Sequence, residues 1–99
     1  MEIVKAGYEY RLANFQSSDT QRIVFTEKTE EGFVDGTTNE EVVDALIDRF
    51  YALNNKRAHR DNYLVIYMLK NIRRLLAQRV DRKVKKLASH GKKNQFEGR

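Results

Sequence analysis

The chain has no cysteine among its 99 residues, and this absence excludes several kinds of site. Without thiols there can be no disulfide framework, no cysteine nucleophile and no zinc site of the usual cysteine-rich kind. No apolar run approaches the roughly 18 residues of a membrane-spanning helix, and no basic stretch followed by a hydrophobic segment opens the chain. The sequence therefore predicts a cytoplasmic protein with neither a transmembrane helix nor a signal peptide.

Motifs for catalysis are also missing. The two histidines, His59 and His90, have no partners at metal-ligand spacing, and the chain contains neither a glycine-rich phosphate loop nor a nucleophile elbow. Asp44 and Asp48 lie one helical turn apart and could share a metal, but a solvated acidic face is the interpretation we favour. We expect a non-catalytic protein that carries no metal and no cofactor.

Composition and charge point to association with other molecules. Apolar residues make up 40% and charged residues 33% of the chain, which is too hydrophobic for disorder but lean for a monomer with a large core. Residues 1–69 hold 8 Lys/Arg and 12 Asp/Glu, a net charge of −4, whereas residues 70–99 hold 11 and 2, a net charge of +9. Self-association and a phosphate-bearing partner are therefore both expected.

The first third of the chain has the alternating pattern of β-strands. Tyr8, Tyr10 and Leu12 alternate with charged residues, and after a polar connection Ile23 and Phe25 alternate with the neighbouring residues 22, 24 and 26. Glu-Glu-Gly at residues 30–32 then indicates a tight turn into a third short strand, Phe33-Val34. These three segments predict one small antiparallel sheet.

The rest of the chain has the spacing of two amphipathic helices. Thr38 to Glu41 form a capping box, and the first helix should end near Asn54-Asn55. A loop of about five residues ends at Asp61, a good N-cap, and a second helix of about 26 residues follows. A seam at steps of three and four residues runs along it, formed by Val65, Leu69, Ile72, Leu76, Val80, Val84 and Leu87.

The predicted class is therefore α+β, a small N-terminal antiparallel sheet followed by a long antiparallel helical hairpin. We expect a single domain over residues 1–88, made of a β region (1–36) and the hairpin (38–88), with a mobile basic polar tail at 89–99.

Two groups of side chains on the helices could bind a ligand. One stripe of the second helix carries four cations, Arg79, Arg82, Lys83 and Lys86. Guanidiniums on one stripe are well suited to bind phosphate. A helix end that only keeps the protein soluble would have the same composition. Tyr51 and Tyr67 lie beside the apolar stripes, where a ring either packs on the sheet or stacks on a nucleotide base.

Several segments together resemble a family of small phage anti-defence proteins, the sponges that neutralise the Thoeris and CBASS bacterial immune systems. The resemblance covers residues 24–83. It is carried by the run FVDGTTNEE at 33–41, by LIDR at 46–49, by Arg60-Asp61-Asn62, and by Leu64, Ile66, Leu69, Leu76 and Arg79.

The resemblance implies a non-catalytic protein that captures an immune signal inside the infected bacterium. The signal is either a cyclic ADP-ribose isomer or a cyclic di- or trinucleotide, and no membrane is involved. The ligand contacts implied for this chain are made by the start of helix two, by cations near its end and by an aromatic of helix one. They are Arg60 and Asn62, Arg79 with Arg82 or Lys83, and Phe50 or Tyr51.

The separation of these residues requires more than one chain. Asn62 and Arg79 are 17 residues apart on one helix, about 26 Å, which is too far for one small cyclic nucleotide to touch both. Two copies of helix two packed antiparallel would bring Asn62 beside Arg79 of the second copy, and a trimer of such dimers is expected from the family. The alternative function is a small basic protein that binds duplex nucleic acid through the same helix, which we consider less favoured.

Overall fold

The computed structural model describes the backbone of residues 1–93 and the side chains of residues 1–83 and 85. Five strands are followed by two helices, which confirms the predicted α+β class. The chain divides into two compact units, Met1–Val42 and Val43–Arg99. The division falls after the first turn of the first helix, later than the predicted change of region at residues 36–38.

The first unit contains a three-stranded antiparallel sheet. Strands β1 (Glu2–Lys5), β2 (Glu9–Ala13) and β3 (Thr20–Val24) lie in that order, and Ile3, Tyr10 and Ile23 form one row across it. The alternating segments correctly predicted β2 and β3. Strand β1 was not predicted, because its two apolar residues are adjacent in sequence and a register shift interrupts its pairing with β2.

The predicted third strand belongs to a different sheet. Strand β5 (Gly32–Val34) pairs with β4 (Glu27–Thr29) as a separate two-stranded hairpin, so the prediction of one three-segment sheet was wrong in this detail. The turn is two residues long, and Gly32 has a φ of 130°, a conformation that side chains disfavour. So short a turn forces the segment before it to pair with β5.

Ion pairs line the charged side of the three-stranded sheet. Arg22 Nε donates to Glu9 Oε2 at 2.8 Å, and Lys5 Nζ donates to Glu27 Oε1 at 2.8 Å. The hydrogen bond from Arg22 lowers the pKa of Glu9 below its ordinary 4.5, and the hydrogen bond to Glu27 raises the pKa of Lys5 above 10.5. The charged forms of Glu9 and Lys5 are therefore favoured by their ion-pair partners.

The two helices begin where the chain provides caps. In helix α1 (Asn39–Lys56), the Thr38 hydroxyl accepts a hydrogen bond from the Glu41 amide at 3.2 Å, as the capping box predicts. Helix α2 (Arg60–Lys93) follows after only three residues rather than five. Its 34 residues make it about 51 Å long.

Helix α2 also runs farther than predicted. Residues 89–93, predicted as tail, continue the helix, while residues 94–99 lie outside the described residues. The tail was predicted to begin at residue 89 because the apolar periodicity ends there. Loss of periodicity does not by itself end a helix, and the one glycine in this segment, Gly91, costs only about 1 kcal/mol. The chain has no proline that would stop the helix.

Three side-chain contacts align the helices as an antiparallel hairpin. Arg73 Nε donates to Asp44 Oδ1 at 2.8 Å, and Lys70 Nζ lies 5.1 Å from the centre of the Tyr51 ring. Near the connecting loop, the Asn62 side-chain Nδ2 donates to Asn54 Oδ1 at 3.3 Å. The partner on α2 moves towards its N-terminus as α1 proceeds. Beyond Arg73, α2 continues to residue 93.

The hairpin has a small core. Ile66, at 6% exposure, is the one buried apolar side chain among the described residues. Val65, Leu69 and Leu76 of the predicted seam are half-buried, but Ile72 and Val80 of that seam are exposed. The side chains of Val84 and Leu87 lie outside the described part.

Candidate functional site

The start of helix α2 is held by His59 and Asn54. The His59 ring accepts a hydrogen bond at Nδ1 from the Asp61 amide at 3.0 Å, and its carbonyl accepts one from the Asn62 amide at 3.0 Å. His59 is therefore the N-cap, and the prediction of Asp61 as the cap was wrong. Asp61 instead lies in the first turn of α2, where its negative charge interacts favourably with the helix dipole.

Asn62, a predicted ligand residue, has a role inside the hairpin. Its Nδ2 donates to Asn54 Oδ1, and the same oxygen accepts a hydrogen bond from the His59 amide at 2.9 Å. The Asn62 side chain is half-buried. One of the two N–H groups of its side chain thus holds the start of α2 to α1, and the carboxamide oxygen and the other N–H are the groups that it could offer a ligand.

The predicted cations lie together near the distal part of α2. Arg79, Arg82 and Lys83 are all exposed, and none of the described residues forms an ion pair with them. Because three- and four-residue steps return to the same side of a helix, their side chains can converge on one anion. The Lys86 side chain, predicted on the same stripe, is outside the described part.

Arg60 and Asn62 are far from this cluster within one chain. Arg60 is the first residue of α2 and is exposed. Because α2 is continuous, the 17 residues from Asn62 to Arg79 span about 26 Å, as the sequence required. One chain therefore presents the two parts of the predicted site at separate positions along a single helix.

The predicted aromatics of α1 are less accessible than two tyrosines on α2. Phe50 is half-buried, and Tyr51, at 42% exposure, has Lys70 over one face of its ring. Tyr63 and Tyr67 are 60% and 67% exposed. Tyr63 was missed at the sequence level, although its spacing of four residues from Tyr67 shows that both rings share one side of the helix.

An exposed apolar stripe on α2 was also missed. It consists of Leu64, Met68, Ile72 and Leu75, whose exposed fractions lie between 45% and 62%. Eighteen residues make five turns of a helix, so Arg82 lies on the same side as Leu64. The apolar stripe therefore leads along α2 towards the cation cluster of Arg79, Arg82 and Lys83.

Two kinds of site are not found in the described chain. Among the side chains that the structure describes, no three acidic, histidine or cysteine side chains are grouped to hold a metal ion. Within the same part, no helix has the length and apolar character needed to cross a bilayer. Comparison with protein-family models, with curated proteins and with solved structures found no match to this chain.

Proposed function

We propose that this protein binds a small cyclic nucleotide signal of bacterial immunity and sequesters it, so that the Thoeris or CBASS effector is not activated. The ligand class is a cyclic ADP-ribose isomer or a cyclic di- or trinucleotide, and no bond in it is broken. The observation that carries the proposal is the cation cluster, Arg79, Arg82 and Lys83, which is exposed and has no ion-pair partner among the described residues.

The cation cluster would bind the phosphates. Arginine offers two parallel donors to a phosphate, and the exposed guanidiniums of Arg79 and Arg82 are accessible to it. A base could stack on an exposed ring, and Asn62 could offer its carboxamide oxygen and second N–H to a base edge or ribose hydroxyl. Arg60 adds a further cation at the start of α2.

A complete pocket needs two chains. The apolar stripe supports antiparallel pairing of two α2 helices about a twofold axis, because it offers each copy apolar surface to bury. If Met68 lies level with Leu75 of the second copy, then Asp61 lies level with Arg82 of the second copy. Opposite charges would meet at both ends of the pairing, and Arg60 would join the distal cations of the other chain. Three such dimers could assemble further.

The required affinity is within reach of an enclosed ligand. A stoichiometric sponge needs a nanomolar Kd, about −12 kcal/mol. A ligand of about 40 heavy atoms at about 0.3 kcal/mol per atom reaches this value when it is well enclosed. An open helix surface would not enclose it, which is a second reason to expect two chains around each ligand.

The test is capture from a mixture. The protein is incubated with cyclic ADP-ribose isomers and cyclic di- and trinucleotides, washed, and heated, and the released compounds are identified by mass spectrometry. We expect one class to be retained and released with unchanged mass. Release of a hydrolysed product would contradict sequestration, and retention of none of the compounds would remove the proposed function.

A further inference from the structure

A second, differently composed stripe lies beside the apolar stripe on α2. It consists of Arg60, Tyr63, Tyr67 and Arg74, at steps of three, four and seven residues, and is called here the aromatic–basic stripe. These steps keep the four positions within about 60° around the helix axis. Both tyrosines are more than half exposed, and both arginines are exposed without an ion pair to any described residue.

The charge of this stripe has one sign over most of its length. Lys70 flanks it on the side of Tyr51, and Lys85 continues it after one acidic residue, Asp81. Two copies of the same stripe would repel each other, so a second chain is a poor occupant. A polyanion is complementary to it.

The spacing indicates an extended ligand rather than a compact one. From Arg60 to Arg74 the helix rises about 21 Å, whereas the two rings are only about 6 Å apart along the axis. A partner that used the whole stripe would place flat groups on the adjacent rings and negative charges on the cations at both ends. Single-stranded nucleic acid is an extended chain that carries both flat bases and negatively charged phosphates. Its unpaired bases are free to stack on aromatic side chains. In a duplex the base faces are already stacked within the helix.

We propose that the aromatic–basic stripe binds single-stranded nucleic acid, with bases on Tyr63 and Tyr67 and phosphates on Arg60 and Arg74. This surface is distinct from the cation cluster of Arg79, Arg82 and Lys83. Arg60 is shared with the two-chain pocket proposed above, but Tyr63, Tyr67 and Arg74 are not part of the cation cluster, so the proposal does not rest on capture of a cyclic nucleotide.

The experiment is fluorescence anisotropy with the full chain and labelled single strands of about 12 nucleotides. An abasic strand of the same length keeps the phosphates and removes the bases. We expect the normal RNA or DNA strand to bind about fivefold or more tightly than the abasic one, since base stacking supplies that difference. The double variant Tyr63→Ala/Tyr67→Ala should lose the preference, and Tyr63→Phe/Tyr67→Phe should keep it.

The charge part is tested separately by salt. Arg74→Ala should lower the slope of log affinity against log salt by about 0.7, the value for one phosphate contact on a single strand. Lys28→Ala, which removes an exposed lysine of β4, is the matched control and should leave the slope unchanged. Circular dichroism checks that the exposed-residue variants keep their helices.

The outcomes separate this proposal from the others. Equal affinity for normal and abasic strands overturns it, as does self-association that depends on Tyr63 and Tyr67 without any binding of strands, since the occupant would then be a second copy. Strand binding by a protein that retains no cyclic nucleotide would support this surface and remove the sequestration function.

Discussion

The side-chain oxygen of Asn54, near the end of α1, accepts a hydrogen bond from the side-chain amide of Asn62, in the first turn of α2. The same oxygen accepts a second hydrogen bond, from the backbone amide of His59, at 2.9 Å. One carboxamide thus joins the end of one helix to the connecting loop and to the next helix. Asn62, which the resemblance assigns to ligand binding, therefore also contributes to the closure of the hairpin.

The first prediction concerns Asn54. Replacing Asn54 with Ala removes the oxygen that accepts hydrogen bonds from the His59 backbone amide and the Asn62 side chain. We therefore expect the free energy of unfolding to fall by about 1–3 kcal/mol. The measurement is urea unfolding followed by circular dichroism. Asn54→Asp keeps an oxygen acceptor and should lose less.

A double-mutant cycle with Asn62 completes the test. If the two side chains interact, the loss in Asn54→Ala/Asn62→Ala should be smaller than the sum of the single losses. Additive losses would show that the 3.3 Å contact contributes nothing to stability.

The second prediction concerns the cap of α2. His59→Ala should destabilise the hairpin by about 0.5–2 kcal/mol, because the Asp61 amide loses its acceptor, whereas His59→Asn supplies a common capping side chain. Asp61→Ala should cost less, about 0.3–1 kcal/mol, through the helix dipole alone. Thermal unfolding of the three variants checks the order. A greater loss for Asp61→Ala would restore Asp61 as the cap.

Local signals in the sequence predicted both helices and strands β2, β3 and β5, but they predicted neither β1 nor β4 nor the pairing of β5. The Thr38 cap, strands β2 and β3, and the two helices follow from spacing within a few residues. The pairing of β5 with β4 depends on the turn at residues 30–31 and on hydrogen bonds that periodicity does not encode.

The candidate site was predictable to a similar extent. Helical spacing correctly placed Arg79, Arg82 and Lys83 on one exposed part of α2. It did not show that Asn62 bonds to Asn54, because that contact depends on how the loop closes. It also gave no reason to choose between the half-buried Phe50 and the exposed rings of Tyr63 and Tyr67, since exposure depends on which face of α2 lies against α1.

The third prediction is a pH dependence from Glu9. Arg22 lowers the pKa of the folded Glu9 below 4.5, so the unfolded state binds the proton more readily. This contribution to stability is complete above pH 4.5 and is lost as the pH falls through the lower, folded pKa. Urea unfolding between about pH 3 and pH 6 should therefore show a smaller acid loss for Glu9→Gln than for the unmodified protein. Glu31→Gln, in the β4–β5 turn and without an ion pair to a described residue, should leave the acid loss unchanged.

The fourth prediction concerns the cation cluster. Arg79→Ala should weaken retention of the cyclic nucleotide without changing the thermal unfolding temperature, because Arg79 is exposed and has no ion-pair partner among the described residues. The loss of a charge-assisted hydrogen bond predicts a change of about 1.5–3 kcal/mol in binding free energy by calorimetry. Arg79→Lys keeps the charge but not the two parallel donors. Its binding free energy should therefore lie between those of the unmodified protein and Arg79→Ala. Unchanged binding in Arg79→Ala would exclude this residue from the site.

The fifth prediction concerns the antiparallel pairing of two α2 helices through the apolar stripe. Because the chain has no cysteine, single introduced thiols report on one contact each. A disulfide needs Cα atoms about 4.4–6.8 Å apart. Mixing Met68→Cys chains with Leu75→Cys chains should give a mixed disulfide, since these positions lie level in the proposed register. Mass spectrometry of the oxidised, unreduced mixture identifies the pair.

Self-disulfides distinguish the two directions of pairing. In the antiparallel register, position 64 lies about 22 Å from position 64 of the second copy, so Leu64→Cys alone should form no disulfide. In a parallel pair the same positions would be adjacent, and Leu64→Cys would cross-link with itself. Because the test uses no nucleotide, it separates the assembly from the ligand. A mixed disulfide without nucleotide capture would keep the pairing, whereas a Leu64 self-disulfide would leave Arg60 and Arg79 at separate ends of the assembly and remove the two-chain pocket.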